Sequence, residues 1–584
     1  MSGEPRRIGV LLRRLGWLLL ALALLGGLAW LVITGLLAKQ QVDAAQREVT
    51  QIRLSIDAGD VDSASRQAQL LAGHARRAHQ LTTGPSWWLA AQLPWLGRPA
   101  VATRGAAAQL DALSGGVLNP LLNVAGELTA GRLFNHGTVQ LPPLQQAAPV
   151  IDQAQHRLAT TSATVRALPT GTWLNPVNRG TRSFQAQLAS LQHQLDSVQR
   201  ATDLLPRLLG AERPQRYFVG LENEAESRGL GGIPGAFAIV TADHGQLRFE
   251  RFESDTTLQK VHTDLRLGAD YRQRYATADP ANSYANSTIG PDFTDAAQIW
   301  AAMWQRYSGE RVDGAVAIDP TAISYLLAVT GPASTTAGES ITAANVVPLT
   351  QKTLYQRYPD TAQRKAFLID IATGISRRLL ATHGSTGLIK AALKASTQRR
   401  LLLWSAEPAT EQQLRATSLA GALDPGQRPF VGFTTVNATG GKLDYYLHRS
   451  LSYQRGTCAG QVHSSATITL TNAVPAGRLP TYVTLRADHP SYPTKPGDNK
   501  VLVNYYLTPG ATVTAVALDG RPTIVAPGTE HGLTVLTLPV ELAAGATHVL
   551  TVTATEPARS GPVMVFKQPA VNPVLIGLHQ QGCG

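Results

Sequence analysis

The chain has 584 residues, of which 44% are hydrophobic and 16% charged, and this excludes a disordered protein, which would combine low hydrophobicity with high charge. A single long apolar run excludes a polytopic membrane protein, and two cysteines exclude a disulfide framework or a cysteine-rich zinc module. The net charge of +12 favours an anionic partner, such as nucleic acid, phospholipid or a phosphorylated polymer.

Residues 15–38 form an uncharged, mostly apolar run. As a helix this run spans about 36 Å, enough to cross ~30 Å of hydrocarbon. Four arginines precede it, namely Arg6, Arg7, Arg13 and Arg14. Because positive residues stay in the cytoplasm, we predict a cytoplasmic tail at 1–14, a single-pass transmembrane helix at 15–38 and an extracytoplasmic remainder. The alternative is a cleaved signal peptide, whose apolar region is usually only ~7–15 residues long.

This topology places the protein in the cell membrane with most of the chain outside. It therefore argues against nucleic acid as the anionic partner and favours the membrane itself and the cell envelope. The positive charge near the N-terminus then orients the anchor, and the remaining positive charge faces an anionic envelope.

Residues 39–212 are predicted to form a stalk of antiparallel helices. Alanine, glutamine, leucine and arginine dominate, and apolar residues recur at heptad-like spacing between glycine and proline breaks. The stalk contains an aromatic-rich cluster of Trp87, Trp88, Leu89, Leu93, Trp95 and Leu96. This cluster has two interpretations: a second contact with the membrane interface, where tryptophan is favoured, or a buried core cluster at a helix corner. The sequence favours the core cluster.

Residues 213–430 alternate between short apolar strands and helices, which predicts a mixed α/β sheet covered on its faces. A strand at 216–221 leads into an acidic loop, and a hairpin turns at 242–246. A helix that carries two tryptophans follows Asp292, and a buried strand ends just before Asp319.

Residues 431–584 show alternating, threonine- and valine-rich strands, which predicts a C-terminal β-sandwich. The predicted strands are 467–471, 482–486, 501–507, 533–538 and 549–555. Outside the cytoplasm, Cys458 and Cys583 are free to form a disulfide, which would contribute roughly 4–5 kcal/mol through the unfolded state. The alternative is two unpaired thiols. The whole chain is thus predicted to be an α+β multi-domain protein.

No specific catalytic signature is present: the sequence lacks a Gly-x-Ser-x-Gly elbow, a His-Glu-x-x-His motif and a P-loop. The most unusual segment is the acidic loop, where Asn223, Glu224, Glu226 and Arg228 crowd the end of a strand. Ligands of open α/β sheets collect at such ends, and a carboxylate beside an arginine there can hold a metal ion and a phosphate oxygen. The alternative is a solvated charged turn.

Two further aspartates and a basic group have the same ambiguity. Asp319 and Asp292 each precede a helix, where an aspartate is either an N-cap or a metal ligand. Arg364, with Arg357 and Lys365 nearby, is suited to phosphate binding, although solvated helix-face charges explain such a set equally well.

Six segments, taken in chain order, resemble a known family. They are Asn223-Glu-Ala-Glu-Ser-Arg-Gly-Leu-Gly-Gly232, Pro291-Asp-Phe293, Val312-Asp-Gly-Ala-Val-Ala-Ile-Asp-Pro320, Leu326-Leu-Ala-Val-Thr-Gly-Pro332, Arg364-Lys-Ala-Phe-Leu368 and Lys442-Leu-Asp-Tyr-Tyr446. Together they resemble the membrane-anchored envelope proteins of domain of unknown function family 4012 (DUF4012), which is common in actinobacteria. The resemblance covers most of the chain beyond the anchor and implies no established activity.

The same order of elements is more distantly similar to the LytR-CpsA-Psr glycopolymer transferases. In those single-pass proteins, an extracellular α/β domain moves a phosphoglycan from a polyprenyl-pyrophosphate carrier onto the cell wall, using arginine, aspartate and a magnesium ion. That superfamily usually has an Arg-Asp pair after the hairpin, where this chain has Ser254-Asp255. The main phosphate-binding arginine would therefore have to be Arg228, Arg251 or Arg364.

The resemblance implies a metal-dependent phosphotransferase that attaches a lipid-linked, anionic glycopolymer to the cell wall. The implied roles are catalytic for Arg228, Arg364 and Asp255, metal-binding (Mg²⁺) for Glu226, Asp319 and Asp292, and substrate-binding for Asn223, Arg251, Arg357 and Lys365. The leading alternative is a non-catalytic envelope scaffold or glycan-binding protein, with other envelope proteins as partners. A glycoside hydrolase is a third, weaker possibility, which would require two facing carboxylates.

Overall fold

The computed structural model describes residues 4–58, 60–129, 133–383, 386–458 and 460–580. The chain divides into two compact units. One unit comprises residues 1–133 and 140–206, and the other comprises residues 134–139 and 207–584. Helices, several sheets and an N-terminal apolar helix occur in one chain, so the predicted α+β class is confirmed.

The first unit is helical. Its core is made of small and branched apolar residues, with Ala45, Ala64 and Ala68 between its first two helices and Ile151 and Leu158 between later ones. Alanine at such contacts lets two helix backbones approach closely. The helices, of which the last extends into the second unit, are α1 (Glu4–Ala58), α2 (Val61–Thr82), α3 (Pro85–Ala91), α4 (Arg98–Leu113), α5 (Asn119–Thr129), α6 (Leu141–Arg166) and α7 (Asn175–Leu208), with a π-helical turn at Ser114–Leu118.

Helix α1 is the one helix among the described residues that is long and apolar enough to cross a membrane, and its apolar stretch is Leu25–Ile56. The sequence predicted a membrane segment that ends at residue 38. The helix itself continues for about five and a half further turns, because Ala45 and Ile52 are buried against α2.

A seven-stranded sheet forms the centre of the second unit, in the order β1-β2-β5-β4-β3-β6-β9. Strands β3 and β6 are parallel, and the other neighbours are antiparallel. The strands are β1 (Phe134–Asn135), β2 (Thr138–Val139), β3 (Gln215–Ser227), β4 (Gly232–Asp243), β5 (Gln246–Ser254), β6 (Gly314–Ile318) and β9 (Leu401–Ser405), and a separate two-stranded sheet pairs β7 (Ala333–Ser334) with β8 (Ser340–Ile341).

Helices accompany this sheet. They are α8 (Ala269–Arg274), α9 (Phe293–Ser308), α10 (Pro320–Thr330), α11 (Val346–Pro348), α12 (Leu354–Arg357), α13 (Thr361–Leu380), α14 (Thr386–Thr397) and α15 (Pro408–Leu414). The predicted tryptophan face of α9 packs on the sheet, with Trp300 and Trp304 fully buried beside Phe218 and Phe237. The indole of Trp300 donates to Ser287 Oγ at 2.7 Å, so its one polar atom is satisfied.

Two further sheets share one apolar core, to which Phe433 and Val503 contribute from one sheet and Leu451 and Ile468 from the other. The first has the order β16-β17-β13-β10-β19 and the second β15-β14-β18-β12-β11-β20. Their strands are β10 (Phe430–Asn437), β11 (Leu447–Cys458), β12 (Gln461–Asn472), β13 (Asn499–Leu507), β14 (Thr512–Leu518), β15 (Arg521–Pro522), β16 (Gly528–Glu530), β17 (Leu533–Leu542), β18 (Thr547–Glu556), β19 (Met564–Lys567) and β20 (Leu575–Gln580). We call this pair of sheets the sandwich.

The sequence predicted that an acidic loop begins after residue 221. This prediction is wrong, because β3 continues to Ser227. The strand predicted at 482–486 is a turn, in which Val483 is buried against Leu443 and Tyr355. The predicted disulfide lies outside the described residues, since neither Cys583 nor the side chain of Cys458 is among them.

Gly220 lies on β3 directly beneath Trp300, and a Cβ atom there would be 2.4 Å from the indole ring. We predict that Gly220→Ala lowers the free energy of unfolding by about 1–3 kcal/mol through overpacking. Denaturant unfolding of the full-length protein in detergent, followed by tryptophan fluorescence, measures this effect. Gly235 on the neighbouring strand β4 is the matched control, because nothing lies within 4 Å of its Cβ position. Equal midpoints for the two variants would contradict the prediction.

Candidate functional site

Three glutamates occupy alternate positions on β3, and all three are buried: Glu222, Glu224 and Glu226. Alternate residues of a strand point to the same face, although the pairing of β3 with β4 shifts register at Leu221/Glu222 and again after Asn223. The parallel partner β6 ends opposite Leu221. The glutamate row therefore extends past the carboxyl end of β6.

The sheet register brings counter-charges to this same end. Asp319 follows β6 immediately, and β9 runs antiparallel to β6 and begins opposite its last residue. Arg400, the residue before β9, therefore lies beside Asp319. Its Nη1 is 2.6 Å from Asp319 Oδ2 and 3.0 Å from Glu224 Oε1. Burial and the Asp319 carboxylate nevertheless raise the pKa of Glu224 well above its usual value.

Glu226 lies between two cations. Arg228 Nη2 donates to Glu226 Oε1 at 2.9 Å, and the Lys442 ammonium pairs with Glu226 Oε2. Although burial alone would raise the pKa of Glu226, the charges of Lys442 and Arg228 hold it below its usual value. Glu226 is thus a fully paired, ionised carboxylate inside the protein.

The sandwich covers the carboxyl end of the sheet and supplies several of these partners. Arg400 Nη2 donates to the carbonyl of Ala570 at 2.8 Å, and Gln568 Nε2 donates to the carbonyl of Arg228 at 2.5 Å. The amide of Ser227 donates to Asp444 Oδ2 at 2.8 Å. We call these groups, with the glutamate row, Asp319 and Lys442, the buried charge layer. In an open α/β sheet this position would be a ligand crevice.

The predicted basic residues on and before α13 make structural contacts. Arg364 is buried, and its Nη1 donates to the carbonyls of Tyr358 at 2.9 Å and Pro359 at 2.5 Å. Its guanidinium lies 4.1 Å from the ring centroid of Tyr482. Lys365 Nζ is 2.5 Å from Asp255 Oδ1. Among the described residues, this is the only direct contact between a residue predicted to be catalytic and a residue predicted to bind substrate.

The other predicted substrate contacts are dispersed. Asn223 Nδ2 donates to the hydroxyl of Tyr355 at 2.6 Å. Arg251 is exposed and pairs with Glu253 at 3.3 Å. Arg357 Nη1 lies 2.8 Å from both carboxylate oxygens of Glu339. None of the hydrogen bonds and ion pairs among the described residues joins these three residues to one another.

The predicted Mg²⁺ ligands do not form one site. Asp319 and Asp292 both act as N-caps: Asp319 Oδ1 accepts from the amide of Ala322 at 2.6 Å, and Asp292 Oδ1 accepts from that of Thr294 at 2.8 Å. Their second oxygens accept from Arg400 and from the amide of Leu423. Glu226 has two other partners. Among the described residues, Glu226, Asp319 and Asp292 do not form a cluster of potential metal ligands.

Asp292 instead belongs to a different cluster. One ligand atom each from Asp292, Asp295 and His531 lies within 4.8 Å of the others, and His531 Nε2 is 2.7 Å from Asp295 Oδ2. Although burial favours the neutral ring, the hydrogen bond to Asp295 and the charge of Asp292 raise the pKa of His531 to about 9. At neutral pH the imidazolium of His531 offsets one carboxylate charge of this cluster, and a metal ion would first have to displace its proton.

A pocket adjoins the buried charge layer and shares Lys442 with it. Lys352 Nζ lies 5.8 Å from the ring centroids of both Tyr445 and Tyr446, whose rings meet edge to face. Below them, Gln351 donates to Glu224 Oε2 at 2.5 Å. The lining consists of Gln351, Lys352, Tyr355, Gln356, Lys442, Tyr445, Tyr446, Leu479, Pro480 and Val483. Aromatic faces, amides and an ammonium suit a polar ligand that has both flat apolar and anionic parts.

Sequence reasoning missed most of the buried charge layer. Glu224 was noted in the acidic loop but was assigned no role, and Glu222 was not noted. Their signal was available, because Glu-x-Glu-x-Glu directly after an apolar strand continues the strand period. The Arg399-Arg400 doublet, directly before β9, was a second signal. Lys442 was quoted within a resemblance segment but was assigned no role.

By fold and site, this is an α+β protein with an N-terminal apolar helix and a charged layer enclosed between a mixed sheet and a sandwich. Residues 212–355 match the family described as "Protein of unknown function (DUF4012)". This match supports the predicted DUF4012 family over that part of the chain. The match includes the glutamate row and Asp319 but ends before Arg400, Lys442 and the sandwich. Comparisons with curated proteins and with solved structures found no match.

Removing one member of a buried ion pair leaves its partner charged and unsolvated, which costs about 3–5 kcal/mol. We therefore predict that Arg400→Met lowers the free energy of unfolding by about this amount. Arg213→Met is the control: Arg213 pairs with Asp313 at 2.7 Å but its side chain is 62% exposed, and exposed pairs contribute only about 0–1 kcal/mol. Denaturant midpoints of the two variants give the comparison, and similar small losses in both would refute a stabilising role for the layer.

The raised pKa of Glu222 should make the stability of the protein depend on pH. Burial, and then the charge of Asp319, raise its pKa to about 8 from 4.5. The folded protein therefore holds a proton that the unfolded chain has lost between those values, so this residue makes the free energy of unfolding fall as pH rises from about 4.5 to about 8. Glu222→Gln should flatten that part of the wild-type curve, as measured by unfolding midpoints at several pH values. Parallel curves for the wild type and the variant would contradict the assignment.

Proposed function

We propose that this protein is a membrane-anchored, extracytoplasmic protein of the cell envelope, with α1 as an uncleaved anchor. Thr34 and Ala38, at the end of the predicted membrane segment, are buried within the helical unit, and Trp87 Nε1 donates to Thr34 Oγ1 at 2.9 Å. Removal of this segment as a signal peptide would expose the residues packed on it. This packing supports an anchor over a signal sequence.

Within the envelope, we propose a non-catalytic role in which the 207–584 unit binds a glycan. The observation that carries this proposal is the pairing of the acidic and basic residues expected to perform phosphotransfer. Glu226, Arg228 and Arg364 all bond to other protein groups in the interior. A transferase needs such groups directed at a substrate, whereas here Glu226 pairs with Arg228 and Lys442, and Arg364 donates to the carbonyls of Tyr358 and Pro359.

The proposed glycan site is the pocket around Lys352, Tyr445 and Tyr446. A tyrosine ring offers an apolar face to the C–H side of a sugar ring, while its hydroxyl hydrogen-bonds. Gln356 can exchange hydrogen bonds with sugar hydroxyls, and Lys352 can pair with a phosphate or carboxylate. An anionic cell-wall glycopolymer combines these features, and it also suits the net charge of +12.

A magnesium-dependent LytR-CpsA-Psr-like phosphotransferase is the second candidate. One observation favours it: the pKa of Glu222 and of Glu224 is raised by burial at the carboxyl end of a sheet, and strongly perturbed carboxylates are common in active sites. In that case a polyprenyl-pyrophosphate-linked glycan would be the substrate. The three predicted metal ligands do not share a site, so a magnesium ion would need other donors.

For the glycan-binding proposal, we predict that Lys352→Gln weakens binding of a purified phosphate-containing cell-wall glycopolymer by about tenfold, equivalent to 1.4 kcal/mol. Full-length protein in nanodiscs is titrated with the polymer, and binding is followed calorimetrically. The control is Lys394→Gln, because Lys394 also lies over a tyrosine ring, 3.8 Å from the centroid of Tyr325, but on α14. Equal affinities for both variants would exclude this pocket as the site.

The same preparation separates the two candidate functions. Incubation with magnesium and a polyprenyl-pyrophosphate-linked glycan, followed by detection of released polyprenyl phosphate, reports phosphotransfer. Turnover that Arg228→Lys abolishes would establish the transferase. Retained binding of the polymer without turnover would support the binding protein.

A further inference from the structure

The aromatic-rich cluster of the first unit is exposed, which reverses the interpretation that the sequence favoured. Trp88 is 53% exposed and Trp95 is 62% exposed, and of the cluster only Trp87 is buried. The leucines are also directed outward, and Trp173 joins them from the segment between α6 and α7. We call the exposed set the tryptophan patch: Trp88, Leu89, Leu93, Trp95, Leu96 and Trp173.

The patch is held in place by its backbone. Helix α3 is followed by a tight turn, in which the amide of Gly97 donates to the carbonyl of Leu93 at 2.9 Å. A Cβ atom at Gly97 would lie 2.3 Å from the carbonyl oxygen of Ala90, so the turn requires glycine. Trp173 Nε1 donates to the carbonyl of Leu96 at 3.0 Å. The apolar side chains are thus presented outward by a structured corner.

The patch is fixed to the end of the apolar helix. Trp87, its buried neighbour, hydrogen-bonds to Thr34, and the Cβ position of Gly35 lies 3.5 Å from Trp87 Cζ2. Thr34 is about 6 Å along the helix from the end of the predicted membrane segment at residue 38. The exposed apolar side chains of α1, such as Leu28 and Leu36, lead directly up to this level.

The charges in the two sequence segments that carry the patch suit a membrane surface. Residues 84–110 contain Arg98 and Arg104 and no acidic residue, and residues 167–182 contain Arg179 and Arg182 and no acidic residue. Tryptophan is favoured at the membrane–water interface, and arginine there is attracted to anionic headgroups. Exposed apolar groups of this number on a soluble surface mark an interaction site.

We propose that the tryptophan patch inserts into the outer-leaflet interface of the bilayer that α1 spans, as a second membrane contact beside the anchor. Apolar faces of this kind lie about 5–10 Å into the headgroup and acyl boundary. A single helix leaves a protein free to rotate and tilt, and two contacts fix one face of the helical unit against the lipid. This inference rests on the proposed anchor.

The test places an environment-sensitive fluorophore at single cysteines in the full chain, with Cys458→Ser and Cys583→Ser as background. The labelled positions are Leu28→Cys in the anchor, Leu93→Cys in the patch and Leu70→Cys on α2. Leu70 is the matched control, because it is an exposed leucine like Leu93, with 56% against 53% exposure. The protein is reconstituted in phosphatidylcholine–phosphatidylglycerol vesicles that contain lipids with a quencher near the headgroup or deep in the acyl chain.

We expect the deep quencher to act on Leu28, the headgroup quencher to remove about half of the fluorescence at Leu93, and neither to affect Leu70. If Leu28 is quenched but Leu93 is not, the patch proposal fails while the anchor stands. If Leu28 is unquenched, both fail. A blue-shifted but unquenched Leu93 would mean that a second copy or another protein covers the patch, which also overturns the proposal, as would equal quenching at Leu70.

Discussion

The buried charge layer is the constraint on which the arrangement of the 207–584 unit depends. A carboxylate removed from water is tolerable only beside a cation or with its proton retained, and β3 carries three glutamates at alternate positions. Arg400 directly precedes β9, the edge strand of the sheet. Lys442, Gln568 and Ala570 come from the sandwich region. The mixed sheet therefore cannot satisfy its own polar groups, and the sandwich completes it.

Because of this arrangement, the charged residues at the end of β3 do not line an open ligand site. In open α/β proteins, loops at the carboxyl ends of strands leave a crevice for ligands. Here the corresponding space is filled by protein side chains and carbonyl groups, and the polar pocket lies to the side, at Lys352 and the two tyrosines. The same residue types that would bind a metal and a phosphate in a transferase are used to hold two layers of the fold together.

Local patterns predicted local structure well. The turn at 242–246 uses His244 and Gly245 at positive φ, and the apolar face of α9 buries Phe293, Trp300 and Trp304 as its spacing indicates. The charge layer escaped prediction because its partners are remote: Arg400 is 176 residues from Glu224, and Lys442 is 216 residues from Glu226. Spacing identifies which residues share a face, but it does not identify the side chains that will meet them across an interface.

The position of Gln568 has a consequence for how the protein is made. It bonds to the carbonyl of Arg228 across 340 residues of chain, and β19 and β20, on either side of it, pair in parallel with β10 and β11. Synthesis proceeds from the N-terminus, so the glutamate row exists long before the residues that enclose it. Partly synthesised chains must keep those carboxylates hydrated, and the sheet can close around them only after the last strands have emerged. The fold of this unit is therefore completed only after Gln568 has been synthesised, and loss of Gln568 removes a hydrogen-bond donor from the carbonyl of Arg228, 340 residues upstream.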